Sequence, residues 1–138
     1  MLHEVKFLSF NQRDDVYGWI YVPACQPKGV VQLVHGFGEH SRRYLHMIVK
    51  LMDAGFVVAA DDHVGHGKTA LENDTWGDWG TKGCRTMMED EHLLKGIVQE
   101  NIQRFHILCS DIAWVLLLLV SFLQNMEQSL KPQLFVVQ

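Results

Sequence analysis

Short apolar runs alternate with polar, glycine-bearing segments through the first hundred residues of the chain. Residues 5–10 and 16–22 are rich in aromatic and β-branched residues and flank the polar stretch NQRDD, a pattern that predicts a β-hairpin. The runs VVQLV (30–34) and FVVAA (56–60) are continuous and apolar, which is typical of strands buried in a parallel sheet. The pattern therefore predicts a hairpin followed by two buried strands.

Apolar positions at helical spacing follow each of the two buried strands. The first helix starts after Ser41, which we expect to cap it, and Gly55 ends it. A long polar loop is predicted between the second buried strand and the second helix. The apolar positions are Tyr44, Leu45, Ile48, Leu51 and Met52 in the first helix and Met87, Leu93, Leu94, Ile97 and Val98 in the second. This order of elements predicts an α/β fold with a mostly parallel sheet.

Composition and charge limit which binding partners and which cellular location the sequence predicts. The chain of 138 residues has the size of one domain or part of one, and its net charge of -4 gives no reason to expect nucleic acid as a partner. The three cysteines show no CxxC spacing, so neither a disulfide framework nor a thiolate zinc site is predicted. Because the N-terminus lacks the apolar core of a signal peptide, we expect a cytoplasmic protein. The sequence contains no signal for an oligomeric state.

The loops after the two buried strands are rich in glycine and histidine, and ligands of open α/β sheets bind at this edge. The second loop, DDHVGHGKT, ends like a phosphate-binding loop, but Asp62 stands where that motif requires its first glycine. We therefore predict no nucleotide cofactor. The loop histidines lack the HxHxD and HExxH spacings of metal sites, so we predict no metal and expect backbone hydrogen bonds from His35, His40, His63 and His66.

The first loop carries the most specific motif. VVQLVHGFGEHSRRY (30–44) resembles the HGxGEHSxRY segment of α/β hydrolases in the monoacylglycerol lipase, lysophospholipase and serine aminopeptidase S33 group. AGFVVAADDHVGHGKT and WGDWGTKGCRTMMEDEHLL resemble that group's next segments in the same order. The resemblance covers roughly residues 3–100. It implies the N-terminal part of an incomplete α/β-hydrolase fold.

The resemblance also implies a chemical role for the loop. In such hydrolases, preorganised backbone N–H groups stabilise the negative charge of a tetrahedral intermediate. The implied donor here is the backbone N–H of Phe37. The loop residues expected to support it are His35, Gly36, Gly38, Glu39 and His40. The implied substrates are carboxylic esters of the monoacylglycerol or lysophospholipid type, although the choice between ester and peptide is open in this group.

The nucleophile that this chemistry needs is missing from the sequence. These hydrolases place a serine in a G-x-S-x-G turn between a strand and a helix. None of the five serines has flanking glycines, and all 11 glycines lie at or before Gly96. The acid and the histidine of a triad follow the serine in these enzymes, so no triad residue is identified. We therefore expect the chain to be catalytically inactive.

The last segment, residues 101–138, is apolar and contains no glycine. Its longest apolar run, Ile112–Leu123, is broken only by Ser121 and is shorter than the roughly 20 residues that span a bilayer, so no transmembrane segment is predicted. A core strand FHILC followed by a buried helix is possible, since short apolar runs are not assigned by periodicity alone. In that case the tail is genuine.

Codons offer a second explanation of this tail. When the group's segment K-Y-P-x-L-P-Y-F-M-F-G-H-S-M-G is read one nucleotide late, suitable codons yield Asp-Ile-Ala-Trp at 111–114. Trp114, which has the single codon TGG, is then supplied by the Met-Gly pair ATG-GGT. We hypothesise that a nucleotide was lost near the Glu100–Asn101 junction and that residues 101–138 are frameshifted. Ala113 then corresponds to the nucleophile serine.

Two readings of the whole chain follow. In the first, residues 1–100 are the N-terminal part of a serine ester hydrolase whose truncated form is inactive, with a small ester or lipid as the substrate of the intact enzyme. In the second, the chain is a non-catalytic binding or interaction domain built on a hydrolase half-fold with a genuine tail.

Overall fold

A computed structural model describes residues 1–104 and 113–118, with side chains described for residues 1–102. The tail predictions for 105–112, including FHILC, and for 119–138 lie outside the described residues. The strands are β1 (Leu2–Leu8), β2 (Asp15–Tyr21), β3 (Gly29–Val34), β4 (Phe56–Asp62) and β5 (Ala113–Leu118), and the helices are α1 (Leu45–Asp53), α2 (Gly67–Asn73) and α3 (Cys84–Arg104), with a 3-10 turn at Ser41–Tyr44.

The described strands form one mixed sheet in the order β1-β2-β4-β3-β5. β1 and β2 form the predicted hairpin, and β2 also pairs antiparallel with β4. β3 lies between β4 and β5 and is parallel to both. The α/β fold with a mostly parallel central region is therefore confirmed.

The sheet separates two apolar layers because successive side chains of a strand point to opposite faces. On one face, α3 packs through a core formed by Ile20, Val30, Val57, Ala59, Leu94, Val98 and Ile102. On the other face, α1 packs through Trp19, Tyr21, Leu33, Ile48, Val58 and Ala60. Helices on both faces bury the sheet, and the predicted apolar helix positions Ile48, Leu94 and Val98 lie in these two cores.

Some element boundaries differ from the predictions. β4 continues through Asp61 and Asp62, two polar residues beyond the predicted end, because β2 pairs with them through Gly18 and Tyr17. Gly55 ends α1 as predicted, with a φ of 91° that favours glycine.

No helix in the described part of the chain combines the length and the apolar character needed to span a bilayer.

Two expectations about loops are wrong. Ser41 does not cap α1: it begins the 3-10 turn, and its hydroxyl donates to the Asp62 carboxylate at 2.7 Å. The predicted polar loop after β4 contains the short helix α2. In the first turn of this helix the Lys68 N–H donates to Asp62 Oδ2 at 2.7 Å. The N-cap residue His66 makes no capping hydrogen bond, so the helix start carries no capping signal in the sequence.

Candidate active site

The candidate site lies where β3 and β4 end side by side. Since the two strands are parallel neighbours, the loops that follow Val34 and Asp62 leave the sheet at the same edge. His35 and His63, the first residues beyond these strands, stack their rings with centroids 3.9 Å apart. The structure therefore brings together the two glycine- and histidine-rich loops, as expected from the sheet topology.

The buried His35 side chain fixes the orientation of the next peptide unit. Its Nε2 accepts the His63 N–H at 3.0 Å, so in the neutral ring Nδ1 carries the proton and donates to the Gly36 carbonyl at 2.8 Å. Burial, together with the nearby His63, lowers the pKa of His35 to about 4, which keeps the ring neutral. The ring can therefore serve as acceptor and donor at once.

This contact determines where the Phe37 N–H points. The described residues contain no cis peptide, and in a trans peptide the C=O and the N–H point in opposite directions. Because the Gly36 carbonyl is held against His35, the Phe37 N–H points away from that ring. A preorganised N–H in this position has the character that stabilises a developing oxyanion.

The other predicted loop residues surround this peptide. Gly38 has a φ of 72° with open space around its α-carbon, so its conformation rather than crowding favours glycine. Glu39 accepts a hydrogen bond from the Tyr44 hydroxyl, which lowers the pKa of the Glu39 carboxyl. His40 lines a surface groove beside α2. The Phe37 side chain is 58% exposed.

Asp62 joins the first loop to α2, and sequence reasoning assigned it no role beyond excluding a nucleotide. Its Oδ1 accepts the Ser41 N–H at 2.8 Å and the Ser41 hydroxyl at 2.7 Å, while Oδ2 accepts the Lys68 N–H. A Cβ at Gly67 would lie 2.2 Å from Oδ2, so only glycine fits there. The carboxylate thus occupies the start of α2.

A buried charged cluster that the sequence did not predict lies behind the loop. His63 Nδ1 is 3.4 Å from Asp61 Oδ2 and 3.4 Å from Glu91 Oε1. Burial is the largest single effect and opposes protonation of His63, but the contacts with Asp61, Glu91 and the His35 backbone together outweigh it and raise the pKa of His63 to about 9. Burial and the neighbouring Asp61 raise the pKa of Glu91 well above its usual range. Glu91 on α3 was missed because sequence spacing does not reveal which helix face meets the loop.

The described serines have structural partners. Ser9 donates to Asp90 at 2.7 Å and Ser41 to Asp62, and both are fully buried. Ala113, the position matched to the nucleophile by codons, is the first residue of β5 and pairs with Gly29 at the far end of β3. The correspondence by codons does not depend on that backbone position.

The end of β5 nearest the candidate site is Leu118, which pairs with Val34. In an open α/β sheet the residues that follow the carboxyl end of a strand contribute to the ligand-binding edge. Ala113 lies at the opposite end of β5, away from this edge.

Comparison with known families decides the relationship. The serine aminopeptidase S33 family matches residues 25–111, well over half of the chain. The chain belongs to this family. The match includes the loop after β3, the loop after β4 and α3, so the residues that build the candidate site all lie within it.

Relatives of this S33 chain include lipases and esterases. A monoacylglycerol lipase of Mycolicibacterium smegmatis is 44% identical over 50 residues, which cover 36% of this chain and 18% of the lipase. Protein K6 of Vaccinia virus is 36% identical over 72 residues, which cover 52% of this chain and 86% of that protein.

Solved structures agree with this relationship. A thermostable carboxyl esterase from Bacillus coagulans superimposes with a TM-score of 0.76 and 58% identity, over 83% of this chain and 35% of the esterase. A lipase in an open form gives a TM-score of 0.75 and 45% identity, over 86% of this chain and 36% of the lipase. The S33 chain thus has the fold of the N-terminal part of an α/β hydrolase and spans about a third of these structures' length.

Proposed function

We propose that this chain is the N-terminal part of a serine hydrolase that cleaves carboxylic esters of the monoacylglycerol or lysophospholipid type. Its contribution to the reaction is the oxyanion donor, the backbone N–H of Phe37. The relatives whose names include monoacylglycerol lipase and carboxyl esterase support this substrate class. Ester rather than peptide cleavage is proposed because the relatives that are 44–58% identical over the matched regions are named as lipases or esterases.

The observation that most directly supports this role is the hydrogen bond that His35 Nδ1 donates to the Gly36 carbonyl. It sets the peptide plane before any substrate arrives, so the Phe37 N–H needs no reorganisation when charge develops on the substrate oxygen. A side-chain donor would have to give up rotamer freedom for the same task. The fixed peptide therefore supports an oxyanion role over that of an ordinary glycine turn.

We further propose that the 138-residue chain does not turn over esters by itself. Its sequence contains no G-x-S-x-G turn, and the two serines with described side chains are buried against carboxylates. A donor without a nucleophile and a base leaves only residual catalysis. We attribute the missing turn to a frameshift near the Glu100–Asn101 junction, which makes residues 101–138 a foreign tail.

A fluorophosphonate probe and a restored reading frame test these proposals together. The purified chain should not be labelled at any serine, and covalent labelling would refute its inactivity. Resequencing the gene from about codon 95 onward should recover the lost nucleotide or reveal G-x-S-x-G in the adjacent frame. The frame-restored protein should then hydrolyse monoacylglycerol. If it binds the probe but cleaves only aminoacyl amides, the ester assignment is wrong.

Two substitutions at position 37 test the donor in the frame-restored protein. Phe37→Pro removes the backbone N–H, and we expect kcat to fall about 100- to 1000-fold. Phe37→Ala keeps that N–H and removes only an exposed side chain, so it is the matched control and should retain most of kcat. Circular dichroism of both variants separates a lost donor from a misfolded loop. Equal activities in two folded variants would exclude Phe37 as the donor.

A non-catalytic binding domain is the second candidate function. It is favoured by Protein K6, because the 72-residue match covers 86% of that protein and so nearly all of it corresponds to this region. In this case resequencing should leave the tail unchanged and the adjacent frames closed.

The exposed free thiols of Cys25 and Cys84 fit a reducing compartment, and we propose a cytoplasmic location for either function.

A further inference from the structure

The cluster of Asp61, His63 and Glu91 contains buried polar atoms whose hydrogen-bonding capacity is unused. Asp61 is fully buried and His63 nearly so. Both Asp61 carboxylate oxygens, His63 Nδ1 and Glu91 Oε1 have no hydrogen-bond partner. Buried polar atoms are normally satisfied, so four unsatisfied atoms in one three-residue cluster point to a ligand. We propose that Asp61, His63 and Glu91 form a binding site for a divalent first-row transition ion, with zinc as its probe.

The spacing of the three donors fits such an ion. One ligand atom from each residue lies within 4.8 Å of the others. At zinc–ligand bonds of roughly 2.0–2.2 Å, the donors of a tetrahedral site lie about 3.3–3.6 Å apart. His63 Nδ1 is 3.4 Å from an oxygen of each carboxylate, so two edges of the tetrahedron are already formed.

Neighbouring groups orient these donors as they do around bound metals. His63 Nε2 contacts the His35 carbonyl at 3.2 Å and donates its proton there, so the lone pair of Nδ1 can face the carboxylates. Gln32 donates to Glu91 Oε2, and it also donates to the Glu91 carbonyl at 2.9 Å, which leaves Oε1 directed at His63. A metal-binding histidine usually bonds a carbonyl or carboxylate through its other nitrogen, and ligating carboxylates are likewise held by hydrogen bonds.

The buried Asp61 carboxylate favours a positive charge at this point. A neutral His63 would turn a lone pair toward two buried carboxyl groups, and isolated buried charges are costly. Either a proton on Nδ1 or a metal ion supplies that charge. One imidazole and two carboxylates are donors suited to zinc, manganese or ferrous ions. The site is independent of the ester chemistry proposed above and would tie β4 to α3.

Zinc binding to the 138-residue chain tests this site. Isothermal titration calorimetry is performed after chelator treatment, in a background with Cys25, Cys84 and Cys109 replaced by serine. We expect one zinc ion per chain, and Glu91→Gln should weaken binding more than about 10-fold. His92→Gln is the matched control, because His92 is the next residue on α3 and is exposed. It should leave the affinity unchanged.

Three results would overturn the site. A folded chain that binds no zinc would mean that a proton alone fills the cluster. Zinc binding that survives Glu91→Gln but is lost in His92→Gln would place the metal on the surface. X-ray absorption spectroscopy of zinc bound to the unsubstituted chain tests the site without any variant, so misfolding of a variant cannot affect the result. It should show one imidazole and carboxylate oxygens, and a shell of sulfur ligands would refute the assignment.

Discussion

Replacing Asp62 by asparagine should destabilise the chain because a single carboxylate holds two segments together. Asp62 is 2% exposed. It accepts from the Ser41 N–H, the Ser41 hydroxyl and the Lys68 N–H at 2.7–2.8 Å. In Asp62→Asn one oxygen becomes an NH2 group. If the remaining oxygen stays with Ser41, the new NH2 faces the Lys68 N–H, and neither group can accept.

The expected loss follows from these contacts. A hydrogen bond to a charged group contributes about 1.5–3 kcal/mol, and a buried donor left without a partner costs about 1–3 kcal/mol. These effects overlap, and the two bonds to Ser41 also lose charge assistance. We therefore expect Asp62→Asn to lower the free energy of unfolding by about 3 kcal/mol.

Urea unfolding followed by tryptophan fluorescence measures this loss. Glu72→Gln is the matched control, since Glu72 is an exposed carboxylate on the same α2 helix, and it should change stability by less than about 0.5 kcal/mol. Amide hydrogen exchange adds a local readout, because protection should fall first at Ser41 and Lys68. If Asp62→Asn and Glu72→Gln have equal unfolding midpoints, the buried carboxylate does not hold the two segments together.

Two further predictions concern backbone strain and pH. Gly67→Ala should cost more than about 3 kcal/mol in urea unfolding, because its Cβ would overlap a carboxylate oxygen at 2.2 Å with φ at 49°, whereas Gly38→Ala, with φ at 72° in open space, should cost only about 1–2 kcal/mol. Equal costs would contradict the overlap. The pKa of His35 is lowered to about 4, so its contribution to stability is complete above the unfolded-state pKa near 6.5 and is lost as pH falls from 6.5 to 4. Chelator-treated protein should therefore lose about 3 kcal/mol more over this interval than His35→Gln, and parallel pH profiles would refute the neutral buried ring.

The sequence pattern predicted those elements whose own residues carry the signal, such as an uninterrupted apolar run. VVQLV and FVVAA became β3 and β4 because continuous apolar runs favour burial on both faces. The start of α2 was missed because the Lys68 N–H in its first turn is satisfied by Asp62, a contact set by the loop conformation after β4. Ser41 looked like a helix cap, but a carboxylate 21 residues away competes for its hydroxyl.

The candidate site likewise contains features that the sequence shows and contacts that only the fold creates. The glycine- and histidine-rich loops are visible in the sequence, and the parallel sheet brings them together. The partnership of His63 with Glu91 is not visible, because 28 positions and a change of layer separate the two residues. Charged residues on a helix are usually solvated, and only the register of α3 against the sheet leaves the Glu91 side chain no more than 12% exposed.

The proposed oxyanion donor is a main-chain atom, and this changes where natural variation is constrained. Any residue except proline at position 37 supplies the same N–H, so selection for the reaction would tolerate drift in that side chain. Constraint would fall instead on His35, whose ring holds the Gly36 carbonyl, and on the His63 backbone that holds the ring. Among natural variants of this loop, substitutions should therefore accumulate at position 37, nearest the reaction, and be purged at His35, two residues before it.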